Sequence, residues 1–282
     1  MKKNKLKNLN LLAVLQGRLV NSEKRNYIQY FPSKNWIKEF YIANNIKIKF
    51  IEWVANYENI KLNPILYKSG IKKINKYKKK YNIKIRSIDM QFIINKPFFK
   101  SKGVEFSRRL NLLKKIILNT QKIGIKFVIL PILENSSLKN ITEENLFIKE
   151  INRLSKFLNP QSYFLIESDY HPKKLLKFIK KVNNRKIGIN YDTGNSAYFG
   201  YSPAQEKKYF KYVKNVHLKD KKIKGPSVSL GSGSVNFKSF FLMLRNINYN
   251  GYFSLQAARS KTGNHIEEVL KNYQFIKKYY RA

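Results

Sequence analysis

The stretch YFLIESDYHPKKLLKFIKKVNNRKIGINYD, residues 163–192, reads as one strand–helix–strand unit. YFLIE at 163–167 is an unbroken apolar run closed by a carboxylate. Leu175, Phe178, Ile179 and Val182 then recur at helical spacing over 172–182. Pro172 stands at the start of that helix, where its missing N–H costs little. The Asn pair at 183–184 stops the helix, and IGINYD at 187–192 is a second apolar run closed by a carboxylate. Strands that are apolar on both faces suit a parallel sheet covered by helices.

Working outward, the same unit recurs along the whole chain. Apolar runs at 11–15, 48–53, 83–90, 125–131, 213–218 and 252–256 add six strands to the two above. Helical periodicity occupies 107–123, 143–158 and 266–280 among the segments between them. Gly124, in KIGIKFVIL, is a helix stop directly before a strand start. Eight β-then-α units with no composition break predict α/β architecture: a single (β/α)8 TIM barrel over residues 1–282. That length sits near the roughly 250 residues of one such barrel. No Gly-rich fingerprint follows the first strand, which argues against a dinucleotide fold. The polar and aromatic loop from Gln16 to about Lys34 is expected to cover the active face.

The formal charge of +40, from 57 Lys and Arg against 17 Asp and Glu, would by itself suggest a polyanionic partner. However, lysine is spread through every segment and is accompanied by Asn, Ile and Tyr, all with A/T-rich codons. We therefore read the charge as a composition bias carried on solvated faces, with no nucleic-acid partner. The absence of cysteine excludes disulfides and thiolate metal sites. The run LLAVL near the start is too short for a signal peptide, and no stretch approaches the roughly 18 apolar residues of a membrane span. A cytoplasmic protein with no membrane association is the expectation.

In a barrel, side chains at the C-terminal ends of the strands face the catalytic mouth. The fifth strand ends in Glu167, the sixth in Asp192, the seventh reaches His217 and the eighth ends in Gln256. A lone strand-end Asp often only caps the next helix. Two carboxylates and an imidazole on successive strands instead make a mixed oxygen and nitrogen set suited to Mn2+, Mg2+, Co2+ or Zn2+. His171 and His265 fall at predicted helix starts and have no such company.

The segments QGRL (16–19), IEW (51–53), ESD (167–169), NYDTGNSAYFG (190–200), HLKD (217–220), LGSGSVNF (230–237) and LQAAR (255–259) resemble the sugar phosphate isomerase/epimerase family of the xylose isomerase-like TIM-barrel superfamily. The resemblance runs from about residue 12 to 275. It implies one divalent ion, Mn2+ before the others, held by Glu167, Asp192, His217 and, in the place where the family has a second Glu, Gln256. In such epimerases two glutamates, at the places held here by Glu167 and Gln256, work on opposite faces of the reacting carbon. A Gln amide oxygen can ligate a metal but cannot take or return a proton as a carboxylate does. The departure leaves single-base chemistry, with Glu167 as the base: isomerisation through an enediol(ate), or dehydration of the inosose type. A sugar-binding barrel without turnover is the non-enzymatic alternative. Endonuclease IV relatives use many histidines, whereas this chain has 3 and places one at a strand end.

The same reading expects a small sugar, sugar phosphate or polyol as ligand; a homo-oligomer is left open, since relatives are often dimers or tetramers but no interface can be read from the sequence. Arg18 and Arg259 follow neighbouring strands and could clamp a phosphate or carboxylate. Glu52 ends the second strand and could orient Arg18 or a substrate hydroxyl. Asn195 could cap a helix or hold a sugar hydroxyl. Lys219, Lys221 and Lys222 lie where relatives bring a basic residue to substrate. The loop GPSVSLGSGSVNF (225–237) offers backbone N–H groups that could bind an anion or simply form a capped turn. Trp53, Phe98, Phe99 and Tyr198 are candidate sugar-lining aromatics.

Overall fold

A computed structural model describes residues 11–21, 29–260 and 262–281. The barrel strands are β1 (Ala13–Leu15), β2 (Phe50–Val54), β3 (Lys84–Asp89), β4 (Phe127–Ile132), β5 (Tyr163–Ser168), β6 (Ile187–Asp192), β7 (Val213–Leu218) and β10 (Tyr252–Leu255). All pair in parallel with their neighbours, and β1 closes the ring on β10 through Ala13↔Ser254 and Val14↔Leu255. β8 (Asp220–Lys221) and β9 (Ser227–Val228) form a small antiparallel hairpin after β7 that the sequence pattern does not reveal. The expected TIM barrel is the observed fold.

The helix at Pro172–Val182 shows how the sequence builds the outer layer. Pro172, Leu175, Phe178, Ile179 and Val182 are buried against the barrel while the lysines between them face water. Each fully buried Leu, Phe, Ile or Val contributes about 1.5–3 kcal/mol. His171 caps the first turn by accepting the Lys173 N–H at 3.3 Å, a structural role. Longer helices at Gly103–Ile123, Ile141–Ser155 and His265–Arg281 repeat the pattern. Gly124 ends the first of these in the left-handed region, at φ +79°.

Inside the barrel the side chains stack in layers. The floor is apolar: Phe127, Ile129 and Leu165 are buried together, with Tyr163 and Tyr252 packed against them. An irregularity after Ile51 makes Arg86 the extra residue between the pairs Ile51↔Ile85 and Glu52↔Ser87. The Arg86 guanidinium lies between the rings of Phe50 and Tyr252, 4.0 and 4.4 Å from their centroids. The next layer up is polar. Ser87 and Ser254 donate to Glu52 Oε2 at 2.6 and 2.8 Å, and Asn215 donates to Asn190 Oδ1 at 2.8 Å. Asn190 in turn donates to Glu167 Oε2 at 2.8 Å, so a hydrogen-bonded belt supports the mouth.

Candidate metal centre

Alternation along the strands sends every second side chain inward. Inward-facing Glu52 and Asn215 therefore place Asp89, Glu167, Asp192, His217 and Gln256 on the same inner surface, at or just beyond the strand ends. All five are buried, and none is more than 4% exposed. Glu167, Asp192 and His217 each present one ligand atom, and these atoms lie within 4.8 Å of one another. That separation suits ligands about 2.0–2.2 Å from a shared divalent ion.

The surroundings of each group fit that use. Asp192 Oδ1 accepts the Asn195 N–H at 2.9 Å and caps the helix Thr193–Phe199, while buried Oδ2 has no hydrogen-bond partner. Capping and ligation thus use different oxygens of one carboxylate. His217 Nδ1 lies 3.1 Å from Glu167 Oε2, and Nε2 lies 2.7 Å from Glu52 Oε1. Burial opposes charge on this ring, but Glu52 and Glu167 on either side raise it well above its ordinary value. If Nδ1 took the ion, Nε2–H would remain for Glu52, the carboxylate–histidine arrangement that orients metal-binding imidazoles. Burial would raise Glu52, yet His217 and the two serine hydroxyls bring it below the usual range, so it is a carboxylate.

Gln256 is the most informative residue of the set. It is fully buried, its backbone N–H pairs with Leu218 O at 3.0 Å, and neither end of its side-chain amide has a hydrogen-bond partner. A buried amide left unsatisfied at both ends costs roughly 1–3 kcal/mol for each group. An oxygen facing a cation and an N–H₂ facing a ligand oxygen would satisfy both. The Glu167, Asp192 and His217 donor set therefore fits a divalent ion.

The other sequence-derived candidates separate into mouth and support. Asn195 sits in the first turn of its helix and donates to Glu167 Oε1 at 3.1 Å. Arg18 Nε donates to Ala257 O at 2.7 Å, and Arg259 donates to Val20 O at 2.5 Å. Each arginine thus bonds the backbone that follows the other's strand, clasping the seam beside the three-residue β1. Arg18 is buried beside Arg259, and these two effects lower it to about 9 against the pull of Glu39, Asp89 and Glu52. His265 Nε2 is 3.4 Å from the Arg259 guanidinium at the start of its helix. Of the loop expected over the mouth, 22–28 lie outside the described residues.

The glycine-containing loop resolves into the plainer of its two readings. Asp220 is fully buried and accepts from Gly231 N and Gly233 N at 2.9 Å and from Val235 N at 3.1 Å. An internal carboxylate thus occupies the N–H groups that an external anion would need. Trp53 points outward from β2, packs on Trp36 and donates to Asn63 Oδ1 at 3.0 Å. Phe98 and Phe99 pack on Phe147 in the core. Only Tyr198 of the proposed aromatics keeps partial exposure near the mouth.

Asp89 was missed from sequence. It is fully buried, with Oδ2 accepting from Gln91 Nε2 at 2.6 Å and Oδ1 without a partner. Burial, then Glu167, push it up to about 8. Its place at the end of β3, two residues after inward-facing Ser87, was the available signal.

The family model described as xylose isomerase-like TIM barrel matches residues 40–279. No curated protein matches the sequence significantly. Among solved structures, a xylose isomerase-like TIM barrel protein from Mycobacterium smegmatis in complex with magnesium is 16% identical, with TM-score 0.69 over 95% of this chain and 97% of that one. D-allulose 3-epimerase from Methylomonas sp. in complex with D-allulose is 14% identical, with TM-score 0.71 over 95% and 97%. The IOLI protein with a bound zinc atom is also 14% identical, with TM-score 0.71 over 95% and 98%. Matched by its family's model over most of its length, the chain belongs to the xylose isomerase-like TIM barrel family.

Proposed function

We propose that this barrel is a divalent-metal-dependent isomerase or epimerase acting on a small sugar, sugar phosphate or polyol through an enediol(ate). The observation that carries the reading is the convergence of Glu167, Asp192 and His217 in a buried mouth. The similar structures described with magnesium, zinc and D-allulose agree with it. Glu167, Asp192, His217 and Gln256 would hold the ion, with Mn2+ first and Mg2+, Co2+ or Zn2+ as alternatives. When bound, the ion supplies Lewis acidity toward a carbonyl or hydroxyl oxygen.

The protein side chains do the rest. Glu167 removes the proton next to the carbonyl and returns it to the neighbouring carbon, while the hydroxyl proton passes to the former carbonyl oxygen. Asn190 and Asn195 fix its two oxygens. Gln256 cannot accept a proton from carbon, so transfer proceeds from one face, which favours isomerisation over epimerisation. Glu52 orients His217, while Arg18 and Arg259 stiffen the rim where substrate enters. The unpaired Gln256 amide also supports a second reading, a barrel that binds a sugar without turning it over.

The test is to load the chain with Mn2+ and follow proton exchange into a panel of sugars and sugar phosphates in D2O. Exchange that depends on both Mn2+ and Glu167 is expected. Metal uptake without exchange would leave the binding reading, and loss of water from the substrate would point to a dehydratase. No metal uptake would end both the isomerase and the dehydratase readings.

A further inference from the structure

We propose that the groove between the helices Lys68–Lys80 and Gly103–Ile123 is a docking site for a short acidic, amphipathic helix of a partner protein. The groove shares no residue with the metal centre, so it stands or falls independently of the activity proposed there. Lysine is abundant on this chain, and charge alone marks no surface as special. What marks this one is exposed apolar surface between the lysines.

The groove is open and has a volume of about 810 Å³. Its lining on the longer helix runs from Asn111 to Lys122, about three turns and about 16 Å of axis. Leu66 and Ile71 form a buried floor, and Tyr67 and Leu118, 45% and 39% exposed, continue the apolar surface outward. The walls are tied together. Asn119 Nδ2 donates to Ile65 O at 2.8 Å, and Asn75 Nδ2 donates to Lys122 O at 3.0 Å. The Tyr67 hydroxyl donates to Lys61 O at 2.6 Å, which fixes its ring beside the groove. Apolar side chains held half exposed on fixed walls gain from burial by a partner.

Charge complementarity decides the occupant. Lys68 and Lys72 line one wall, Lys114, Lys115 and Lys122 line the other, and no Asp or Glu lines either. Among the described residues none of these five lysines takes part in an ion pair. The contacts they do make are with neutral groups: Lys114 with the Phe157 ring, Lys115 with the Tyr67 ring and Lys122 with Asn119 Oδ1. Nor does the helix Lys68–Lys80 carry a carboxylate in its first turn. Five uncompensated cations spread along both walls match repeated carboxylates on a chain, not the single head group of a fatty acid. The apolar floor suits side chains such as Leu, which a nucleic acid lacks. A second copy of this chain, at +40, would bring like charge to the groove. An acidic helix with apolar residues along one face meets both the floor and the rims, and lays that face into the groove.

The test is fluorescence anisotropy on the full chain at about 0.15 M salt, where diffuse attraction is screened. The probe is a fluorescein-labelled peptide of three Glu-Glu-Leu-Leu repeats, whose Leu residues form one helical stripe. Its control has Ser for Leu and the same charge. The Leu peptide is expected to bind at least about tenfold more tightly, the weight of roughly one buried Leu side chain. Leu118→Asp and Lys115→Glu, both at exposed positions, should each weaken it about tenfold. Lys177→Glu, on the exposed side of the helix Pro172–Val182, makes the same change of net charge as Lys115→Glu and should act within about twofold. Urea unfolding checks that the variants keep the fold. No binding of the Leu peptide, equal binding of the Leu and Ser peptides, or an equal loss in Lys177→Glu would each overturn the proposal. So would displacement of the probe by oligothymidylate or dodecanoate as readily as by unlabelled peptide. A wild-type dimer in sedimentation that Leu118→Asp dissociates would instead give the groove to a second copy, and would also overturn it.

Discussion

The two ends of the barrel interior are built from the same eight strands and serve opposite purposes. At the floor, Phe127, Ile129 and Leu165 pack with Tyr163 and Tyr252, and Arg86 lies between aromatic rings. At the mouth, Glu52, Asp89, Glu167, Asp192, His217 and Gln256 are just as deeply buried but ionisable or polar. Leu165 and Glu167 are two residues apart on β5 and face the same way, yet one belongs to each regime. Burial is equal at the two ends, so it cannot be what distinguishes a site from a core. What distinguishes them is whether the buried atoms have partners. The floor leaves the Arg86 Nη1 without a hydrogen bond, whereas the mouth leaves Asp89 Oδ1, Asp192 Oδ2 and both ends of the Gln256 amide without one, Lys219 Nζ standing 3.7 Å from Asp192 Oδ2.

That contrast is tested by changing the two ends separately. Glu167→Gln, at the mouth, should lower Mn2+-dependent proton exchange by about 10²–10⁴-fold with the fold retained. Circular dichroism and exchange in D2O measure the two outcomes. Exchange within tenfold of wild type would remove Glu167 as the base. Leu165→Ala, at the floor, should cost about 2–5 kcal/mol in denaturant unfolding. Under native conditions it should leave Mn2+ stoichiometry unchanged. If it also emptied the metal centre, the two ends would not be separable. Glu52→Gln lies between them in the hydrogen-bonded belt. It should weaken Mn2+ about 10–100-fold by loosening His217, with a smaller effect on unfolding. An unchanged Mn2+ affinity would reduce Glu52 to a packing role.

The sequence shows the barrel because each unit repeats the same local physics. Apolar runs bury both strand faces, lysine-rich helices show one apolar stripe, and Gly124 or Asn183 ends a helix in the left-handed region. β6 and β7 were legible to the residue, since a carboxylate and an HLKD segment mark where their apolar runs stop. Glu167, Asp192 and His217 were legible for the same reason. The hairpin β8–β9 was not, because two-residue strands carry no periodicity and Asp220 organises them through contacts distant in sequence. Trp53 and Phe98 looked like sugar-lining aromatics until strand direction turned Trp53 outward and Phe98 joined Phe147. Asp89 was hidden because the apolar reading of β3 ran through it to Met90, and only barrel closure brings it near Glu167.

Asp89 also gives the subtlest test, in which a mouth residue changes stability in the direction opposite to a floor residue. Burial first, then Glu167, raise its carboxyl from 3.8 to about 8. Between about pH 4 and 8 the folded, metal-free chain holds a proton that the unfolded chain has released. Stability therefore falls as pH rises through that window and is flat with respect to this group outside it. Asp89→Asn keeps an amide oxygen for Gln91 and carries no charge at any pH. The variant should match wild type near pH 4 and gain on it toward pH 8, by about 1–2 kcal/mol, well short of the full linkage value because a buried site relaxes. Urea unfolding of the metal-free chain at three pH values measures this. Parallel stability curves for the two chains would mean that Asp89 ionises freely in the folded state and that the mouth imposes no charge strain there.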